Sequence, residues 1–189
     1  NIADLQESLG FRIVNSVLYP TMSRTYAEAP DTFRKVYYRL RFYFDAAAHT
    51  ALGGLAALSG FVIDLLYDER YQGASIMLAA FAVRASVGVM VSPWESAFFA
   101  RGQTHFSFRR ALVSSIALLI VMPLGYHWFG YHGVIWGTAL ARATALFVLW
   151  PPAYSAGLLS LRRELLPFAF FACGYLLGTL VDAALRPLL

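Results

Sequence analysis

The sequence predicts an all-α integral membrane protein, a polytopic bundle of about six transmembrane helices. Three observations predict it. Of 189 residues, 59% are hydrophobic and 14% charged, with a mean hydropathy of +0.57; soluble domains run about 45–50% apolar and about 25% charged. The apolar runs are close to the roughly 20 residues that a spanning helix needs, and they lack the two-residue alternation of strands. The cations fall in alternate connections. Six spans would take about 120 residues and leave about 70 for all connections and termini, which excludes a folded soluble domain. A disordered tail is excluded as well.

The segments are expected at about 2–19, 42–67, 73–100, 111–129, 133–150 and 165–185, within a single transmembrane domain over 1–189. The first is short and amphipathic. The others are long enough to span with some tilt. Between them lie turn and breaker signals: Tyr19-Pro20, Ala29-Pro30-Asp31, Tyr71-Gln72-Gly73, Arg101-Gly102-Gln103 and Trp150-Pro151-Pro152.

Charge sets the orientation. Connections 20–41, 101–110 and 158–164 hold ten cations, whereas 68–72, 130–132 and the tail after Leu185 hold two, Arg70 and Arg186. The basic connections are therefore expected to face the cytoplasm. Tyr126, Trp128 and Tyr131 would mark the opposite boundary, where amphipathic rings favour headgroup level. The first helix would enter from outside. With Asn at its start and no signal peptide, the chain reads as the carboxyl-terminal portion of something longer. Cys173 is a single cysteine, so no internal disulfide forms.

Charges at bilayer depth usually face a bundle interior or a water-filled cavity. Arg12, Arg84 and Arg142 each fall near the middle of a different apolar segment. Three cations at similar depth would repel in a dry core, so a wet cavity or an anionic guest accounts for them more simply. Helical spacing sharpens the picture. Asp4, Glu7, Ser8, Arg12 and Asn15 form one stripe; Arg84, Gly88, Ser92 and Glu95 share a second. Asp45, His49, Gly53, Ala56, Gly60 and Asp64 form a third, polar and small. The fourth and sixth segments carry no mid-membrane charge and belong at the periphery. Competing structural readings pair Arg84 and Arg142 with Glu95 or Asp45, pair Asp45 with Arg41 at the interface, and make His49 a packing residue.

Other chemistry leaves no mark. The sequence has no phosphate-cradling Gly-rich loop with Lys-Ser/Thr, no Cys/His metal spacing and no Gly-x-Ser-x-Gly elbow. Neither a metal nor a cofactor is expected, and the basic loops suit topology and anionic lipid rather than nucleic acid.

The run Asn15-Ser16-Val17-Leu18-Tyr19-Pro20-Thr21-Met22-Ser23-Arg24 resembles a segment of the polysaccharide flippases of the MOP superfamily. In these a helix ends in an apolar–aromatic–Pro–x–x–Ser–Arg run, matched here by Pro20, Ser23 and Arg24. Leu65-Leu66-Tyr67-Asp68-Glu69-Arg70-Tyr71 and Ala100-Arg101-Gly102 fit the same pattern, and with the helix order the resemblance covers nearly the whole chain. Trp94-Glu95 after Pro93 departs from it, where the family would carry smaller, neutral residues. The resemblance implies most of the second lobe of a MOP/MATE-like transporter in a bacterial cytoplasmic (inner) membrane. It implies a flippase, not an enzyme, that moves polyprenyl-pyrophosphate-linked oligosaccharide outward for O-antigen, lipopolysaccharide or related polysaccharide biosynthesis. Arg12, Arg84 and Arg142 would hold the pyrophosphate. Glu95, Asp45 or His49 would couple the cycle to H+ or Na+, and a polysaccharide polymerase complex would be a partner. The alternatives are a MATE-type antiporter for cationic drugs and an integral-membrane polyprenyl-phosphate transferase.

Overall fold

The computed structural model describes residues 17–71 and 73–185, and these are helical, with no strand among them. The expected segment 2–19 lies outside the described residues except for its last three positions, and Arg12 lies outside them with it. The first described helix is α1, Tyr19–Glu28, with Pro20 in its opening turn, where a missing N–H costs nothing. It stops at Ala29, before Pro30.

α2 spans Phe33–Ala57 and so begins well before residue 42. Its first turns are amphipathic rather than apolar. Phe33, Tyr37, Arg41 and Phe44 point inward, while Arg34, Lys35 and Arg39 are exposed. Averaged hydropathy registers the charges and misses the inward face. At Leu58 the chain bends by 63° into α3, Ser59–Leu66, so the expected single span 42–67 is a broken one. The bend falls at a Ser-Gly pair, a common place for helices to kink.

α4, Ala74–Ala100, matches the expected 73–100. α5 runs for 51 residues, His105–Ser155, but Gly130 inside it has φ 58° and ψ −140°. That conformation suits glycine and reverses the chain. The arms 105–129 and 131–155 lie antiparallel: Gly125 and Gly133 touch backbone to backbone, Gly137 sits against Val121, and Ser114 Oγ meets Thr144 Oγ1 at 3.4 Å. The expected pair 111–129 and 133–150 is therefore present, as one hairpin with longer arms. Each arm is roughly 37 Å long at 1.5 Å per residue. A one-turn α6, Leu161–Glu164, leads into α7, Leu166–Leu185.

Among the described residues, three helices are long and apolar enough to cross a membrane, or four if the bent α2–α3 pair is one span. None of the most apolar 18-residue stretch of α5 is buried within the chain, and Leu119 and Phe147 are 76% and 79% exposed. The core is instead concentrated at the basic end, where Met22, Tyr37, Trp94, Phe98, Leu149 and Leu158 pack together. A second seam joins α2 to α7. Gly53 lies against the Phe171 carbonyl and Gly174 against that of Thr50, so closely that a Cβ at either would overlap backbone.

Candidate functional site

The stripe on α4 faces the α5 hairpin. Arg84 from α4 and Arg142 from the second arm of α5 line one cavity of about 240 Å³, together with Arg110, Ser114, Ser115 and Thr138. Arg84 and Arg142 both sit about ten residues from the ends of their helices nearest the Gly130 turn and the 67–73 connection, so they meet near mid-depth. Arg142 lies across Gly88, where a Cβ would come within 3.3 Å of its Nη2. Ser92 Oγ donates to the Gly88 carbonyl at 2.9 Å, turning that hydroxyl back onto its own helix. Two of the three arginines singled out in the sequence thus come together, both partly buried and both engaged with neighbouring groups.

Arg110 was hidden in the sequence among the cations of a basic connection. In the fold it is the second turn of α5, and its Nε donates to Glu95 Oε1 at 2.6 Å while its side chain lines the cavity. The signal that could have found it is the length of the hairpin arm. Once the helix starts at His105, Arg110 and Ser114 fall four apart on one face.

Asp45 and His49 lie elsewhere, in a closed network at the basic end. Arg41 is 2% exposed and is held from three elements. Its Nη2 meets Glu164 Oε2 at 2.5 Å, its Nε meets Asp45 Oδ2 at 3.2 Å, and its Nη1 donates to the Tyr37 hydroxyl at 2.9 Å. The guanidinium carbon stands 5.1 Å from the centre of the Trp94 ring, a cation–π contact. The Arg41–Asp45 pair expected at an interface is therefore buried, because Glu164 of α6 and Trp94 of α4 close over it. The Trp94 ring is the lid on this arginine. His49 is fully buried, with Nδ1 2.9 Å from the Asp45 carbonyl oxygen, and it packs rather than lining the Arg84–Arg142 cavity.

Of the motif residues, Pro20 opens α1, Ser23 is partly buried, and exposed Arg24 pairs with Glu28 at 3.0 Å. None of the three lines the cavity. Compared with models of protein families, with curated proteins and with solved structures, the chain matches none.

Proposed function

We propose that this chain forms most of the second lobe of a multi-pass flippase. Its cargo is polyprenyl-pyrophosphate-linked oligosaccharide, carried across a bacterial cytoplasmic membrane. The observation that carries the reading is the shared cavity of Arg84, Arg142 and Arg110, rimmed by the hydroxyls of Ser114, Ser115 and Thr138. Guanidinium forks suit a pyrophosphate because charge-assisted, often bidentate bonds are strong yet reversible in water. The hydroxyls suit a polar guest, and the exposed apolar flanks of α5 suit a polyprenyl tail left in lipid. Transport would proceed by rocking of two lobes about this midplane site.

Glu95 is the acid best placed to couple the cycle to H+ or Na+. It accepts from Arg110, which lines the cavity, so neutralising Glu95 would release a guanidinium to the substrate. Asp45 is taken up by Arg41, away from the cavity.

The test replaces Arg84 or Arg142 with Ala in cells that depend on this protein for surface polysaccharide. Polysaccharide should disappear while protein level holds, and Lys at either position should restore part of it. Full polysaccharide in both Ala variants would remove the site. Sensitivity to toxic organic cations, with polysaccharide unchanged, would instead identify a drug antiporter.

A further inference from the structure

A second concave site lies at the basic end, outside the transport cavity. A cleft of about 660 Å³ is lined by Arg34, Lys35 and Arg39 of α2, by Arg163 of α6, and by Tyr38, Ser160 and Asp31. The Tyr38 ring organises it. The Arg163 guanidinium carbon lies 4.3 Å from the ring centre and that of Arg34 5.8 Å, while the Tyr38 hydroxyl donates to the Gly157 carbonyl at 3.4 Å. Cations from distant parts of the chain are thus held side by side on an aromatic ring, which positions them without neutralising them. Arg24, Arg41 and Arg110 each hold a carboxylate, whereas among the described residues Arg34, Lys35, Arg39 and Arg163 form no ion pair. Among the described residues, four cations line the cleft with one carboxylate, Asp31, an excess of positive charge.

A second cavity, of about 360 Å³, continues from the cleft and shares Tyr38 and Arg163 with it. Arg41 and Asp45 line its inner side; its outer wall is apolar, made by Phe42, Leu166 and Phe170, with the two phenylalanine rings edge to face at 5.6 Å. The cleft also stands where the apolar stretches of α2 and α7 begin, which is headgroup level for a chain lying in a bilayer.

We propose that this composite site binds an anionic phospholipid. The phosphate is held by Arg34, Lys35, Arg39 and Arg163, and an acyl chain lies along Phe42, Leu166 and Phe170. A soluble phosphate ester offers the same headgroup chemistry but nothing for the apolar wall, which is why the lipid is the assigned source. Asp31 and Ser160 are suited to accept from headgroup hydroxyls, so a glycerol headgroup fits better than a choline. The proposal needs the chain to lie in a bilayer; it does not need the cargo to be a polysaccharide.

Native mass spectrometry of the full chain in detergent tests it, with phosphatidylglycerol and phosphatidylcholine of matched chains as probes. Retention should favour phosphatidylglycerol by roughly tenfold or more, since cations clustered at headgroup level attract anionic lipid. The double substitution Arg34→Gln/Arg163→Gln should abolish that preference, and Arg109→Gln, in the second turn of α5 and outside the cleft, should leave it. Tyr38→Phe should keep the preference, whereas Tyr38→Leu, with every charge intact, should lower it several-fold. Equal retention of the two lipids overturns the proposal. So does an Arg109→Gln effect as large as the double substitution, or a Tyr38→Leu variant like the parent. Displacement of phosphatidylglycerol by glycerol 3-phosphate at equal concentration would overturn the lipid assignment in favour of a soluble phosphate ester. A negative result for polysaccharide export leaves all of these readouts unchanged.

Discussion

Arg41 brings a permanent charge into the space between α2, α4 and α6, and its two carboxylate partners are buried with it. Removing one member of a buried ion network leaves the others uncompensated, at a cost of about 3–5 kcal/mol. Arg41→Ala should therefore lower the thermal midpoint of the detergent-solubilised protein sharply. Arg41→Met combined with Asp45→Asn and Glu164→Gln should recover most of it, because no charge is then stranded. Equal midpoints for the single and triple variants would show that burial of charge is not what the network resolves. At the same scale, Gly88→Leu should push the Arg142 guanidinium off α4 and impair the proposed transport without unfolding, as read by polysaccharide export at unchanged protein level. The sequence placed Gly88 in a polar stripe and Arg41 beside Asp45 at an interface, but showed neither the burial of Arg41 nor the neighbour of Gly88. Arg41 counted as a connection cation, and a glycine in a stripe carries no record of the arginine that will lie across it.

Two close approaches decide how the elements sit. α2 and α7 meet through Gly53 and Gly174, each against a carbonyl of the other helix. Such small-residue contacts let helices associate where apolar burial gives little drive. Gly174→Leu should separate the pair and lower stability well beyond Ala172→Leu on an exposed face of the same helix, a comparison that thermal melts can make. The hairpin in α5 depends on Gly130 in the same way. A side chain there meets a strained backbone costing about 1–3 kcal/mol, so Gly130→Val should destabilise the turn. The sequence did place spans on both sides of residues 130–132, from the apolar runs, with Tyr126, Trp128 and Tyr131 marking the boundary. It did not show where the arms extend, because the flanking turns are polar yet still helical.

The whole molecule carries an asymmetry between its ends. Large buried side chains gather with the basic connections, while Tyr126, Trp128 and Tyr131 stand exposed around the Gly130 turn. In a membrane this arrangement predicts sidedness. With Cys173 replaced by Ser, single cysteines at Gln103 and Ser160 should be modified from one side by an impermeant thiol reagent, and a cysteine at Tyr131 from the other. A straight 51-residue helix would instead put His105 and Ser155 at opposite ends. Labelling of Gln103→Cys and Ser160→Cys from opposite faces would therefore remove the hairpin topology, and labelling of both from outside the cell would remove the orientation drawn from the cations.

Composition and run length were enough, from the amino acids alone, to predict helices of membrane-spanning length, their order, and mid-helix arginines on different segments, Arg84 and Arg142 among them. Each of these is a local property: apolar length, breaker residues, and the period that puts Arg84, Gly88, Ser92 and Glu95 on one face. The tertiary structure decided partnership. It added Glu164 to the Arg41–Asp45 pair that the four-residue spacing suggests, gave Glu95 to Arg110, and brought Arg110 up to the cavity beside Arg84 and Arg142. Charge pairing depends on which side chains close to within about 3 Å, and that is fixed by the bend at Leu58, the reversal at Gly130 and the glycine seam. No one-dimensional pattern records a distance between residues 123 positions apart, as Arg41 and Glu164 are.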